Sequence, residues 1–522
     1  MQPDFHRWLA IMELDQRACD RARRSRDARF DGRFFIAVTS TGVYCRPICP
    51  ARAPKDEHVR YFPSAAAAET AGFRPCLRCR PEASPGTPAW LGTSALVSRA
   101  LRLITEGALD DGGVERLADR VGVTGRHLRR LFLQHLGATP LDVALTRRVH
   151  FAKKLLDETT LAINQVAYAS GFGSLRRFNS QIRRTYKRTP TELRRLARRH
   201  VVADPGCYRF HLAYRPPYDW DAALAFLSAR ATPGVESVIG SHYRRSIQIE
   251  GKTGFIGVSH LESRSALVLD VRFSDARALL FIVERVRRVF DLGADPAVIE
   301  QHLRPDPLLR QPLARHPGIR TPGAWDGFEL AVRAIVGQQI SVRAATTIAG
   351  RIASMFGSPV ADGRGIDRLF PAPAQLANAA IERAGVTTAR AGTIRSLART
   401  VADGTISFKP SLDGRGTVSA LRAVPGIGAW TAEYIAMRAF GEPDAFPSGD
   451  LALRRAAGGC TPRELERKSE AWRPWRAYAV MLLWQGATDN GKESGRMKRR
   501  NCLGSPAEQK SPAALEGHRG GT

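Results

Sequence analysis

Two cysteine pairs and one aspartate carry the chemistry that this chain's residue types and spacings allow. Cys45 and Cys49 are separated by three residues, Cys76 and Cys79 by two, with 26 residues between the pairs. Short-spaced thiol pairs bring four soft ligands together, which suits tetrahedral Zn2+ and steadies a segment too small for a full hydrophobic core. Eight cysteines in a reducing compartment speak against a disulfide framework. Buried, incidental thiols are the bland alternative, and the flanking Pro47, Pro50 and Pro75 weigh against it. Asp450 closes the run Asp444–Asp450 just before a predicted helix, where an isolated Asp is usually a cap. Upstream, Pro425-Gly426-Ile427-Gly428 predicts a hairpin between helices. Its backbone N–H groups beside a helix N-terminus suit a DNA phosphate, although an ordinary helix–helix turn has the same pattern.

These groups need scaffolds. The chain has 522 residues, enough for three or four domains at about 150 residues each. Arg21–Glu82 is short, basic and cysteine-bearing, and Thr93–His200 is helical by pattern. That helical segment repeats a plan. Val114–Val121, Gly122 and Gly125–Gln134 read as helix, turn and helix, with Thr124 as cap. Ile163–Ser170, Gly171–Ser174 and Leu175–Tyr186 do so again. Each second helix is arginine-rich: Arg126, Arg129 and Arg130, then Arg176, Arg177, Arg183 and Arg184. Asp204-Pro205-Gly206 punctuates the chain. Tyr208–Arg315 mixes alternating and helical runs in an α+β pattern, and Thr321–Trp484 is helical again. Ala487–Thr522 is polar, basic and rich in Gly and Ser, and is expected to be disordered.

Lys plus Arg total 79 against 50 for Asp plus Glu, a formal +29. Self-repulsion on that scale destabilises a compact fold unless a polyanion offsets it. Val121–His200 alone holds 17 Lys/Arg and 4 Asp/Glu, as a phosphate-tracking surface would. A merely solvated basic face is the alternative. Charged residues interrupt Met1–Asp20, and no run approaches ~18 apolar residues, so neither export nor a membrane span is indicated and a cytoplasmic place is expected.

The strings Phe34–Pro47 and Ala71–Cys79 resemble the zinc domain of Ada-type methylphosphotriester repair proteins, over about Arg23–Glu82. The resemblance implies that Cys45, Cys49, Cys76 and Cys79 hold one Zn2+, and that Cys45 also accepts a methyl group from a DNA phosphotriester. Metal keeps such a sulfur as the nucleophilic thiolate; a purely structural zinc site is the rival. Once a methyl group lowers the site's negative charge, Arg46, Arg52, Arg74, Arg78 and Arg80 are expected to dominate the local field. Leu96–Arg195, with its Gly-Phe-Gly-Ser turn and Thr189–Leu193 ending, resembles the AraC/XylS DNA-binding domain. That implies two recognition helices in successive major-groove turns, ~34 Å apart, with Arg126 and Arg176 as base readers. It also implies a transcription activator, with promoter DNA and RNA polymerase as partners.

Leu421–Ala432 together with Asp450 resembles the helix-hairpin-helix glycosylase superfamily, most closely the AlkA-type 3-methyladenine glycosylases. Arg333–Val342 looks like that family's DNA-wedging entry and Trp472–Tyr478 like its C-terminal signature. The resemblance implies Asp450 as catalytic carboxylate, Trp430, Tyr434 and Trp484 as base pocket, and DNA contacts from Gln338, Gln339, Gly426 and Gly428. Gln339 departs from the aliphatic wedge of some relatives, and Gln485 stands where a close relative has an aromatic. Relatives that also cut the strand carry a lysine where this chain has Trp430, and no four-cysteine iron–sulfur pattern follows Asp450. Both points imply a monofunctional glycosylase that flips a damaged base and lets water displace it. An alkylated purine is already a cationic leaving group and stacks well on electron-rich rings.

The expected protein is multidomain and mainly α with α+β parts. A small four-cysteine zinc domain spans 1–86, an AraC-type double helix-turn-helix 93–200, an AlkA N-terminal-like α+β domain 207–317, an all-α helix-hairpin-helix glycosylase domain 318–487, and a tail 488–522. It excises alkylated purines from double-stranded DNA, accepts a methyl group on Cys45 in a single turnover, and activates transcription. The competing expectation is a damage-responsive transcription factor whose glycosylase-like half binds DNA without cutting it. No Pro-Cys-His-Arg string is present, so the O6-alkylguanine transferase of longer Ada proteins is not expected.

Overall fold

A computed structural model describes residues 16–86, 95–105, 107–110, 112–197, 204, 206–361, 365–408 and 414–503. The first module is a small four-stranded sheet of β1 (Phe35–Val38), β2 (Val43–Cys45), β3 (Val59–Phe62) and β4 (Arg74–Pro75) in the order β3-β1-β2-β4. β2 pairs in parallel with β4, Val43 opposite Arg74 and Tyr44 opposite Pro75. That register sets Cys45, the last residue of β2, beside Cys76, the first after β4. The module's apolar interior consists of two small clusters, one around Phe34 and Tyr61 and one around Phe35 and Tyr44.

Two helix-turn-helix units follow, as the repeat requires. Gly122 (φ +77°) and Gly171 (φ +81°) make the turns, in a region that costs a side chain but not glycine. Thr124 then accepts from the His127 N–H at 3.3 Å and Ser174 from the Arg177 N–H at 3.3 Å, starting the helices Gly125–Leu136 and Leu175–Tyr186. The helix Pro140–Glu158 joins the two units and begins with a capping box between Thr139 and Asp142.

Five antiparallel strands come next: β5 (Cys207–Ala213), β6 (Glu236–Ile239), β7 (His242–Ile249), β8 (Lys252–Leu261) and β9 (Ala266–Phe273), in the order β5-β9-β8-β7-β6. Their inner face does not close a private core. Phe210, Leu267 and Tyr243 belong to one continuous apolar cluster with Phe151 of the joining helix and with Phe178 and Leu193 of the second helix-turn-helix unit. Lys153 and Lys154, read from sequence as part of a basic surface, are buried at this seam. Lys153 meets Asp157 at 2.6 Å, and Lys154 meets Glu158 at 3.1 Å while donating to the His211 carbonyl at 2.5 Å. The i,i+4 carboxylates offset the desolvation of both ammonium groups.

The helical remainder packs in two further clusters, one around Ile335, Ile394 and Ile427, the other around Trp472, Tyr478 and Leu482. Its last helix, Arg476–Leu503, corrects the expectation of an unstructured tail from 488 onward. The buried turn that starts at Arg476 has already met the nucleation cost, so each later residue adds to the helix cheaply. Residues 504–522 of that tail lie outside the described residues. Among the described residues no helix is long and apolar enough to cross a membrane.

His316 pins this last helix. Its Nδ1 lies 2.7 Å from Asp219 and its Nε2 2.9 Å from Asp489. Burial pulls the imidazole pKa down, but the hydrogen bonds to Asp489 and Asp219 outweigh it and raise it above the ordinary value. The latch is therefore fully present below the unfolded value of about 6.5 and is lost as pH rises through the folded value. His316→Gln should lower the melting temperature of the glycosylase half by about 2–4 °C near pH 5.5, and by much less near pH 9. Melting curves with an equal deficit at both pH values would show that the imidazole does not act as a cation.

Candidate active site and zinc centre

The β2–β4 register and the turns after them bring the sulfur atoms of Cys45, Cys49, Cys76 and Cys79 within 4.8 Å of one another. Four thiolates around zinc stand ~3.8 Å apart at Zn–S bonds of about 2.3 Å, so this donor set fits one tetrahedral Zn2+. Cys76 and Cys79 are buried, Cys45 and Cys49 half-buried. The Arg46 N–H donates to Cys79 Sγ at 3.3 Å, and the Arg46 guanidinium is held by Asp31 and the Cys79 carbonyl. Arg80 is tied to Asp157 at 2.7 Å and to Glu82 at 3.3 Å. Two of the five arginines expected to dominate the field are therefore neutralised internally. Arg52 and Arg78 are exposed, Arg74 half-exposed.

Tyr44, next to Cys45, is fully buried and donates to Glu69 Oε1 at 2.8 Å. His150, on the helix joining the two helix-turn-helix units, lies 3.0 Å from the Tyr44 hydroxyl and 3.2 Å from Glu69. Thr146 of the same helix donates to Glu69 Oε2 at 2.9 Å. The cysteine cluster is thus braced against the DNA-reading module through polar groups, a link no local sequence pattern signals. On the recognition helices, Arg126 and Arg176 are exposed, opposite the buried Leu128, Phe132, Phe178 and Ile182. Arg129 is paired with Glu115 at 2.6 Å.

In the helical remainder, Asp450 is both a cap and something more. Its Oδ1 accepts from the Leu453 N–H at 2.9 Å, as an N-cap does. Oδ1 also accepts from Trp484 Nε1 at 3.2 Å, and Oδ2 from Trp430 Nε1 at 3.1 Å. Two indoles thus hold the carboxylate at the wall of a cleft of about 1170 Å³. Trp430 and Tyr434 stack with centroids 5.6 Å apart and planes at 12°, and Trp484 leans on Tyr434 at 6.3 Å and 52°. The cleft thus brings together Asp450, Trp430, Tyr434, Trp484, Gln338 and Gln339.

Gly426 has φ +90°, and a Cβ there would sit 2.0 Å from Thr393 Oγ1, so the hairpin needs glycine at that point. Gly428 is exposed, and a Cβ there would meet nothing within 4 Å. Gln338 donates through Nε2 to the Gly426 carbonyl and to Thr431 Oγ1, each at 3.0 Å. It braces the hairpin from the neighbouring loop. Gln339, exposed at the tip of that loop, holds a left-handed φ of +57°, a conformation that costs a non-glycine residue. Gln485 turns away from the cleft and donates to the Ala222 carbonyl at 3.4 Å, so its departure from an aromatic does not loosen the pocket. Sequence reading missed Arg230, Arg333 and Arg438, which also line the cleft. The one available signal was an arginine inside the apolar run Ile435–Ala439.

Four family models match the chain in succession. They are the metal binding domain of Ada over residues 18–82, a helix-turn-helix domain over 117–196, the AlkA N-terminal domain over 209–326, and the HhH-GPD superfamily of base excision DNA repair proteins over 332–474. A Mycobacterium tuberculosis (strain ATCC 25618 / H37Rv) protein named probable bifunctional transcriptional activator/DNA repair enzyme AlkA is 43% identical over 483 residues, covering 91% of this chain and 97% of that one. DNA-3-methyladenine glycosylase 2 of Escherichia coli (strain K12) is 33% identical over 278 residues, which is 53% of this chain and 96% of that protein. The bifunctional transcriptional activator/DNA repair enzyme Ada of the same organism is 32% identical over 204 residues, 38% of this chain and 53% of its own length.

Proposed function

The chain belongs to the family of AlkA-type bifunctional transcriptional activators and DNA repair enzymes, and on that premise we propose how its residues divide the work. It is a DNA glycosylase joined to a zinc-cysteine methyl acceptor and a helix-turn-helix DNA-binding module. The glycosylase hydrolyses the N-glycosidic bond of alkylated purines and does not cut the strand. The observation that carries this reading is the Asp450 carboxylate, held between two indole N–H groups at the wall of an aromatic cleft. A flipped alkylpurine stacks on Trp430, Tyr434 and Trp484, whose faces attract its positive charge. As C1′–N9 breaks, the electron pair goes to the base, and Asp450 stabilises the positive sugar and takes a proton from the attacking water. Gly428 at the hairpin binds a phosphate beside the lesion, and Gln339 occupies the gap left by the flipped nucleotide. Trp430 offers no amine for a Schiff base, so an intact abasic strand is the product. The test is a duplex carrying N7-methylguanine, incubated with the full chain. Free methylguanine should appear, and the strand should break only on later alkali treatment. Borohydride trapping of a covalent adduct would refute the monofunctional reading, and no base release at all would leave a damage-binding regulator.

Cys45 is the methyl acceptor. Bound zinc holds the four sulfurs as thiolates at neutral pH. Cys45 Sγ forms a bond to the methyl carbon, and the phosphate oxygen leaves with the electron pair of the broken C–O bond. The product is a thioether on the protein and an ordinary phosphodiester. By ligand counting the cluster passes from about −2 to about −1. Repulsion against the DNA backbone falls, and the exposed Arg52 and Arg78 gain influence. Promoter affinity should rise about tenfold at low salt and less at high salt. RNA polymerase is then the partner recruited. Affinity measured before and after exposure to methylphosphotriester DNA, with Cys45→Ala as control, decides the point. Equal affinities with the methyl group confirmed on Cys45 would mean that the sulfur repairs without signalling.

A further inference from the structure

One side chain of the DNA-reading module reaches the scaffold of the base cleft. Arg102 lies on the helix Ala95–Thr105, and its first partner, Phe440, is 338 residues further along the chain. Its guanidinium donates through Nη1 to the carbonyls of Phe440 and Gly441, the latter at 3.1 Å, and through Nη2 to Glu442 at 2.6 Å. Phe440 and Gly441 follow directly on the helix Ala429–Ala439, which carries Trp430 and Tyr434. A helix ends in carbonyls without intrahelical donors and in a partial negative charge. A planar guanidinium can serve two such carbonyls and a carboxylate at once. The Arg102 side chain is 19% exposed, so water competes little for these bonds.

The gripped segment is where the parts of the cleft are joined. The Glu442 N–H donates back to the Ala436 carbonyl at 3.1 Å. The Pro443 carbonyl accepts from the Ala477 N–H at 2.8 Å, in the first turn of the helix that carries Trp484. Asp444 pairs with Arg476 of that helix at 2.7 Å, and the Phe446 N–H donates to Glu433 at 3.1 Å. The chain then runs on to Asp450. Residues 440–446 thus tie together the pieces that supply Trp430 and Tyr434, Trp484, and the carboxylate. The helix Ala429–Ala439 has its own anchor in Arg438, whose guanidinium donates to the carbonyls of Pro322 and Gly323. What Arg102 holds is the exit from that helix. On the regulator side, Val97, Leu101 and Ile104 of the Arg102 helix share an apolar cluster with Leu128 and Phe132 of the first recognition helix.

We propose that the DNA-reading module is a working part of the glycosylase, with Arg102 as a positioning residue that fixes segment 440–446 and, through it, Asp450 relative to the aromatic wall. The inference rests on the glycosylase reading. Arg102 takes no part in bond breaking. It acts on the alignment of carboxylate, water and flipped base, where a displacement of about 1 Å caused by a remote change can cost about 100-fold in rate.

The experiment is single-turnover release of N7-methylguanine by the full chain and its variants. Rate constant, amplitude and affinity for abasic-site DNA are read on each preparation. Arg102→Met keeps an apolar stem and removes all three bonds. Its rate constant should fall about tenfold or more, while amplitude and affinity stay within about twofold of wild type. Arg102→Lys keeps a cation within reach of the carbonyls and should recover most of the rate. Glu442→Gln takes the charge from the other side of the contact and leaves the regulator untouched. It should lower the rate constant by a smaller factor, a result that holds even where Arg102→Met folds poorly. In the double variant the two losses should combine to less than their product, as for partners in one contact. A loss of amplitude at an unchanged rate constant would make Arg102 a stabiliser of the fold alone and overturn the proposal. So would wild-type kinetics in Arg102→Met. No base release by the wild type would instead strike the glycosylase reading itself.

Discussion

Asp450→Asn should cut base release from alkylated DNA by about 1000-fold or more, while binding to abasic-site DNA stays within a few fold. The charge is what the oxocarbenium-like sugar needs, and the amide removes it with almost no change in shape. The Asn oxygen can still accept from the Leu453 N–H and from Trp484 Nε1, the two donors that Oδ1 serves in the wild type. Its NH2 group would face Trp430 Nε1, a donor against a donor, at a cost of about 1 kcal/mol or somewhat more. That is a small fraction of the stability of a domain and far less than the loss in rate. Single-turnover release and abasic-site affinity, measured on the same preparation, separate the two effects. Release at a near wild-type rate would take Asp450 out of the chemistry and leave it as a helix cap.

Stripping the metal should have the other large effect, on stability. Apparent zinc-binding free energies of about 10–16 kcal/mol in small thiolate sites are folding free energies there. The first module has only its two small apolar clusters to set against that loss. Chelation, or Cys79→Ser, should abolish binding of one Zn2+ per chain and unfold residues 16–86. The glycosylase clusters contain no residue of that module, so alkylpurine release should persist. Unfolding would break polar links to the rest of the chain, among them Ser64 to the Leu136 carbonyl at 2.8 Å, Tyr44 with His150, Thr146 to Glu69 at 2.9 Å, Arg80 with Asp157 at 2.7 Å, and Arg33 with Asp295 at 3.2 Å. Each break leaves an unpaired group on a neighbour, so the helix-turn-helix module should melt a few degrees earlier. A metal-free preparation with an intact first module, judged by proteolysis and metal analysis, would exclude the four-cysteine site as its keystone.

What could be read in advance was what the chain encodes locally. Thiol spacing, the glycines and caps of the two turns, and the Pro-Gly-x-Gly hairpin depend on neighbours within a few residues, and each stands where the pattern put it. Asp450 was legible as a cap, and its place among Trp430, Tyr434 and Trp484 followed only from resemblance, since those side chains come from two helices far apart in sequence. Groups whose partners lie far along the chain stayed invisible. Lys153 and Lys154 look like surface cations in any window, yet they are buried beside Asp157, Glu158 and the first strand of the sheet. Arg46 looks free until Asp31, 15 residues back, folds against it, and Arg80 until Asp157 of the next module does. Gln338 reads as a DNA contact, but the Gly426 carbonyl 88 residues away claims its amide.

The apolar cluster shared by the second helix-turn-helix unit and the five-stranded sheet bears on where this polypeptide can be divided. Sequence places the seam at Asp204-Pro205-Gly206, the obvious point for a cut. A scission there would leave Phe151, Phe178 and Leu193 on one fragment and Phe210, Leu267 and Tyr243 on the other, each newly facing water. Both pieces would carry an open apolar face of the kind that drives aggregation. Lys154 would also lose its carbonyl partner at His211. Regulator and glycosylase in this protein are consequently not interchangeable cassettes. A soluble half, a transplanted half, or a descendant that lost one of them would first have to resurface that face with polar side chains.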